Sequence, residues 1–171
     1  MKQLILIIGS VLAFSLSAFA GNPEVYIGGG LGQSQTSLSS SSSSDIAFKL
    51  IGGVVINPNL NAEIEFINLG KVTSGSVSAS TLGLAGAGVG ILPLPNNLNL
   101  FARFGLANLR TDWPGSLGQQ SKTGLTGGAG FQLDFAPKSS GRLSYDRYQI
   151  GATDPLTGSI DLVMLSALFK F

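Results

Sequence analysis

The chain has 171 residues, with ten Lys or Arg, nine Asp or Glu, and neither His nor Cys. Without cysteine it has no disulfide framework and no thiol chemistry, and without histidine it lacks the commonest general base and metal ligand. Its formal net charge of +1 leaves no basic footprint for nucleic acid. We therefore predict a protein that is not an enzyme, holds no cofactor or metal, and has no nucleic-acid partner.

The first 20 residues have the order of a secretory signal peptide. Lys2 provides a positive charge, residues 4–14 form an apolar run, and residues 18–20 form an A-x-A cleavage site. The apolar run is shorter than the roughly 20 residues of a membrane-spanning helix. We predict that residues 1–20 are removed on export and that residues 21–171 form one domain outside the cytoplasm.

The mature region has the composition of a membrane-spanning β-barrel. Only 11% of the residues are charged, against about 25% in soluble domains, yet no apolar stretch after residue 20 is long enough for a spanning helix. A closed barrel is the other fold that pairs every backbone polar group inside a bilayer. We predict an all-β, eight-stranded antiparallel transmembrane β-barrel with up-and-down meander topology. Its strands are expected at 25–33, 46–56, 61–69, 81–92, 98–109, 123–135, 142–150 and 159–171.

The strands are marked by apolar and polar residues that alternate along the chain. The alternation is clearest in the third segment, where Ala62, Ile64 and Phe66 share one parity and Glu63 and Glu65 the other. The fourth segment is so rich in Gly and Ala that its facing stays open. The eighth keeps apolar residues at the odd positions from 163 to 171.

The connections between the strands alternate in length. Short turns are expected at 57–59, 93–97 and 137–141, and longer polar segments at 34–45, 70–80, 110–122 and 151–158. Outer-membrane barrels have short periplasmic turns and longer external loops, so both termini are expected at the periplasmic rim. The serine run 39–44 is expected to be a flexible part of an external loop.

Charged residues in mid-strand fall mostly on the parity opposite the apolar residues, which places them in the lumen. That lumen is just wide enough for side chains in an eight-stranded barrel, and an unpaired buried ion is strongly destabilising. We favour a structural network of ion pairs that closes the lumen; the alternative is a selectivity filter or gate. The predicted network residues are Lys49, Glu63, Glu65, Arg103, Asp134, Arg142 and Asp146, with Lys170 on the same parity.

Four stretches resemble strands of the OmpA-like family of small outer-membrane β-barrels: VYIGGGLGQS, FKLIGGVVINPNLNAEIEFINLGKV, NLFARFGL and TGLTGGAGFQLDF. The resemblance spans nearly the whole mature chain and implies a Gram-negative outer-membrane location. It also implies that Lys49, Glu63, Glu65 and Arg103 belong to a lumen ion-pair cluster. Longer family members carry a peptidoglycan-binding domain after the barrel, whereas this chain stops at Phe171, so cell-wall tethering is not implied.

The last residue, Phe171, shares its parity with Phe169. This resembles the C-terminal signal that the barrel-assembly machinery recognises, which would make that machinery a partner during biogenesis. Outer-membrane lipid and lipopolysaccharide are further expected partners, and a monomer is expected because a closed barrel has no free strand edge. Contact with lipopolysaccharide is expected through the basic residues near the external rim, Lys71, Arg110, Lys122 and Arg147.

Two functions stay open on the sequence alone. We favour a structural or surface-interaction barrel whose external loops contact a host or cell-surface ligand; the alternative is a small pore for ions or small solutes. Trp113 and Pro114 fit either a contact site or, as we favour, an anchor at the membrane interface. Lipid-modifying barrel enzymes use a serine activated by histidine, which this chain lacks.

Overall fold

The computed structural model describes residues 24–38, 41–74, 77–112, 119–150 and 158–171. The predicted signal peptide at 1–20 lies outside these ranges, as do Trp113 and Pro114. Among the described residues, no helix is long and apolar enough to cross a membrane. The chain forms eight strands: β1 Val25–Leu38, β2 Ser41–Asn57, β3 Leu60–Ser74, β4 Val77–Pro93, β5 Leu98–Asp112, β6 Gln119–Ala136, β7 Ser139–Ile150 and β8 Gly158–Lys170.

The eight strands form one closed barrel in which each strand pairs with its neighbours in the sequence. All pairings are antiparallel. The ladder that closes the barrel joins β1 to β8, from the pair Tyr26–Lys170 to the pair Ser37–Ser159. The predicted fold class and meander order are therefore confirmed. Closure gives each strand a hydrogen-bonding partner on both sides. This is required inside a bilayer, where backbone polar groups have no water to bond to.

The strands are longer at one end of the barrel than the sequence predicts. β1 reaches Leu38 and β2 begins at Ser41, so most of the predicted loop 34–45 is paired strand, including positions 41–44 of the serine run. β3 and β4 likewise extend through most of the predicted loop 70–80. The alternation is lost there because residues 34–37 and 41–45 are polar at both parities, while the hairpin ladder continues. The connections at 113–118 and 151–157 lie outside the described residues.

The opposite end of the barrel carries tight turns. At the turn between β2 and β3, the backbone N–H of Asn59 donates to Oδ1 of Asn57 at 2.9 Å. In the turn between β4 and β5, Asn96 and Asn97 have φ angles of 64° and 59°, a left-handed conformation that asparagine tolerates better than most residues. The predicted short turns are thus present on the rim that also carries both barrel termini.

The two parities of each strand face different surroundings. Along β7, Arg142, Asp146 and Tyr148 are buried in the lumen, whereas Leu143 and Tyr145 are about half exposed on the outer wall. On β8, the outer wall is apolar from Val163 to Phe171. The eight residue-to-residue steps of about 3.3 Å each, tilted by about 40°, give a height of roughly 20 Å. This is close to the thickness of the apolar band of an outer-membrane barrel, about 25 Å.

Candidate functional site

The middle of the lumen holds four charged side chains, which we call the central ion layer: Lys49, Glu65, Arg103 and Asp146. They come from β2, β3, β5 and β7, of which β2 and β3 are adjacent in the barrel wall, so the layer also connects strands that share no ladder. None is more than 5% exposed. Two cations and two anions make the layer electrically neutral.

Each cation of the central ion layer contacts both anions. The Lys49 amine donates to Asp146 Oδ2 at 2.7 Å and to Glu65 Oε1 at 3.3 Å. The Arg103 guanidinium donates to both oxygens of Glu65, with Nη2–Oε2 at 2.5 Å. Its Nη1 also lies 3.4 Å from Asp146 Oδ1. Such a ring offsets the desolvation of four ions by mutual attraction and hydrogen bonds.

A second group of buried polar side chains lies closer to the turn rim. Arg142 Nη1 donates to Glu63 Oε1 at 2.7 Å, and Tyr26 donates to the same oxygen at 2.6 Å. The remaining sides of the guanidinium contact Gln132 Oε1 through Nε and Nη2, at 3.3 and 2.9 Å. Its carbon lies 4.5 Å from the ring centre of Phe101. Arg142 is therefore held in one orientation.

Asp134 and Lys170 lie at the turn rim next to the second group, and Gln132 links Asp134 to Arg142. Asp134 Oδ1 accepts hydrogen bonds from Gln132 at 2.9 Å and from Ser140 at 2.6 Å. Its Oδ2 accepts from Asn99 at 2.8 Å. Of the seven residues predicted for the network, the structure thus brings six into two groups of ion pairs and leaves Asp134 among neutral donors.

The other half of the lumen, toward the longer strand ends, is filled by apolar side chains. This apolar plug is a cluster of ten residues that are 0–4% exposed: Ala47, Ile67, Leu69, Ala85, Ala107, Leu109, Tyr148, Ile160, Leu162 and Met164. Sequence reasoning assigned closure of the lumen to charges alone and missed this cluster. The signal was present in β8, where positions 162 and 164 are as apolar as the lipid-facing positions 163 and 165, as expected for a strand buried on both faces.

An exposed ion pair lies on the outer wall of β7 and β8. Arg147 donates through Nε and Nη2 to the two carboxylate oxygens of Asp161 at 2.6 and 3.0 Å, and Tyr145 donates to Oδ1 at 2.8 Å. The Arg147 side chain is 53% exposed. This residue was predicted to contact lipopolysaccharide, and the structure places it on the outward face beyond the apolar band, next to an acidic partner.

The model of one protein family, described as "Outer membrane protein beta-barrel domain", matches residues 6–169. The chain belongs to this family. The lipid-facing apolar band and the pairing of every strand agree with this family. The family indicates a Gram-negative outer-membrane protein. Because short turns of such barrels face the periplasm, we call the turn rim the periplasmic rim and the opposite end the external rim.

Solved outer-membrane barrels have the same fold at low sequence identity. Neisserial surface protein A is 17% identical, with a TM-score of 0.73, and the match covers 86% of this chain and 97% of that one. Ail, the attachment invasion locus protein of Yersinia pestis, is 19% identical with a TM-score of 0.63, covering 88% of this chain and 100% of that one. OprG of Pseudomonas aeruginosa is 13% identical with a TM-score of 0.61, covering 87% and 96%.

No curated protein sequence matches this chain. At such low identities the structural neighbours establish the fold alone. The lumen and the rims of this outer-membrane barrel are therefore the parts of the molecule that bear on its role. Phe169 and Phe171 lie on the lipid-facing side and are 50% and 66% exposed; that they form an assembly signal stays a prediction.

Proposed function

We propose that this outer-membrane protein is a non-enzymatic barrel with a closed lumen, and that its role is structural or surface-interacting. The observation that carries the proposal is the stack of two layers across the lumen. An ion would first have to separate the pairs of the central ion layer. It would then have to pass the apolar plug, where no side chain is more than 4% exposed.

The central ion layer favours closure because its charges are matched within the lumen. Removing one partner of a buried pair costs about 3–5 kcal/mol, and an ion that displaced Lys49 from Asp146 would incur a cost of that kind. The apolar plug adds a second barrier, since a bare ion in an apolar medium is far less stable than in water. The two layers in series therefore support a structural rather than a conducting lumen.

The external rim supports a surface-interaction role. Beyond the apolar band the strands continue as a polar wall, in which Gln33 donates to Ser44 at 2.8 Å. On the far side of the barrel, Asn108 donates to Thr123 at 2.8 Å and accepts from Ser121 at 2.9 Å. This wall extends the paired strands beyond the apolar band at the external rim. Ail, which has the same fold, was solved with a heparin analogue, so a barrel of this kind can carry a ligand.

The surface role is tested by replacing the external connections. We expect that Gly-Ser segments of equal length at 113–118 and 151–157 leave the barrel in the outer membrane but remove most adhesion of intact cells to cultured epithelial cells. The matched control replaces the periplasmic turn 94–97 in the same way and should leave adhesion unchanged. Full adhesion by the external variant, at equal surface amounts, would contradict the surface role.

A small pore is the second candidate, and one observation favours it. The periplasmic end of the lumen holds an open cavity of about 360 Å³ lined by polar and apolar side chains, which would be the entrance of a channel. In the pore interpretation, Lys49, Glu65, Arg103 and Asp146 form a filter instead of a seal. The conductance measurement that closes the Discussion separates the two.

Assembly and oligomeric state follow from the same architecture. We propose that the barrel acts as a monomer, because closure through β1 and β8 leaves its membrane-embedded strands fully paired. We also propose that Phe171 and Phe169 present the terminal strand to the barrel-assembly machinery. Lipid and lipopolysaccharide would then surround the finished barrel.

A further inference from the structure

The cavity at the periplasmic rim, which we call the vestibule, has the features of a binding site. Its volume of about 360 Å³ is at the lower end of the range for small-molecule sites and equals the volume of roughly a dozen water molecules at about 30 Å³ each. The central ion layer lies beyond its inner end. The polar side chains that matter for recognition are Glu24, Asn61, Asn99, Asp134, Arg142 and Lys170.

Arg142 forms a preorganised part of the vestibule wall. It is 3% exposed, and Glu63, Gln132 and the Phe101 ring fix its orientation. A guanidinium has five N–H donors. The contacts to Glu63 and Gln132 use one donor on each of its three nitrogens, so two N–H groups remain for a ligand.

Lys170 provides a second cation in the wall of the vestibule. Its backbone is fixed by a bond to the carbonyl of Lys138 at 2.9 Å and by the β1–β8 ladder. Within the described part of the chain, its amine takes part in none of the side-chain hydrogen bonds or ion pairs. Its charge acts on Asp134 across the cavity, but the amine forms no hydrogen bond or ion pair with that carboxylate, so its donors are available to an anion.

The acids of the vestibule limit which anion fits. The carboxylate of Asp134 is already occupied by three donors, from Asn99, Gln132 and Ser140, and Glu24 is exposed at the rim. Two cations and two acids line the cavity, and the Arg142 charge is already paired with Glu63, so Lys170 is the lining cation that can balance one added negative charge. A dianion such as phosphate would face stronger repulsion from the acids.

We propose that the vestibule binds a small monocarboxylate solute from the periplasm. The carboxylate would lie between Arg142 and Lys170, because a guanidinium and an ammonium both form charge-assisted hydrogen bonds with carboxylate oxygens. The side-chain amides of Asn61 and Asn99 would then contact polar groups at the other end of the solute. This site goes beyond the closed-lumen proposal and uses its central ion layer only as the inner boundary.

The inference is tested by calorimetric titration of the full-length mature protein in nonionic detergent. The probe is N-acetylglycine, which carries one carboxylate and one amide, and the controls are neutral N-acetylglycinamide and inorganic phosphate. We expect saturable binding of N-acetylglycine at one site and at least tenfold weaker binding of both controls. Equal binding of the neutral amide, equal binding of phosphate, or no binding of N-acetylglycine would each overturn the proposal.

Two matched lysine variants localise the site. Lys170→Gln should weaken N-acetylglycine binding about tenfold, which corresponds to the free energy of one charge-assisted hydrogen bond. Lys138→Gln removes the same charge from the adjacent turn, outside the vestibule lining, and should leave binding unchanged. An equal loss in both variants would show general attraction to the rim and overturn the assignment. Unchanged heat-induced gel mobility would verify that both variants fold. Because the binding result does not depend on whether the lumen conducts, failure of this inference can be distinguished from failure of the closed-lumen proposal.

Discussion

Replacing Glu65 with Gln is expected to lower the free energy of unfolding of the barrel by about 3–5 kcal/mol. Glu65 accepts hydrogen bonds from both Lys49 and Arg103 and is 1% exposed. Without its charge, two buried cations share Asp146 as the one anion left in the central ion layer. The loss is measured by urea unfolding of the mature barrel in lipid vesicles.

Two further variants show whether the loss arises from buried charge imbalance. Asp161→Asn breaks the exposed pair with Arg147 and should cost no more than about 1 kcal/mol, because exposed ion pairs contribute little. Adding Lys49→Met to Glu65→Gln restores charge balance in the layer and should recover a large part of the stability. If Glu65→Gln is as mild as Asp161→Asn, or if the second substitution recovers nothing, the layer is not a matched ion network.

Leu162→Ala is expected to destabilise the barrel by about 2–5 kcal/mol. Leu162 has no exposed surface and packs in the apolar plug, so truncation leaves a cavity that rigid strands cannot close. Leu165→Ala makes the same chemical change three residues away, on the lipid-facing side where Leu165 is 67% exposed. The loss of stability in Leu165→Ala should be clearly smaller because lipid fills the space left by the truncated side chain. Equal losses for the two variants in vesicle unfolding would show that the external half of the lumen is not a packed core.

The strand pattern of the sequence was sufficient to predict the barrel because each strand separates lipid from lumen. Glu63 and Glu65 on β3 alternate with Ile64 and Phe66, and the structure buries the acids and exposes the apolar residues. β4 could not be oriented because Gly occurs at both parities and Ala, which differs little from Gly in polarity, fills much of one parity. The structure places Ala85 and Val89 inside and leaves the glycines between them facing outward.

Pairing across the lumen could not be read from the sequence. The bond from Lys49 to Asp146 joins residues 97 positions apart on β2 and β7, which share no ladder, so it depends on the register of every strand between them. Asp134 shares its parity with Gln132 but lies nearer the rim, where amides and a hydroxyl supply its donors. Parity identifies which side chains face inward, while depth along the axis decides their partners.

The closed lumen is tested most directly by single-channel recording of residues 21–171, refolded and inserted in a planar bilayer. We predict a silent bilayer at all applied voltages, with correct folding verified by heat-induced gel mobility of the same sample. Reproducible discrete conductance steps, absent in bilayers without protein, would contradict the closed lumen. Lys49, Glu65, Arg103 and Asp146 would then be the candidate filter.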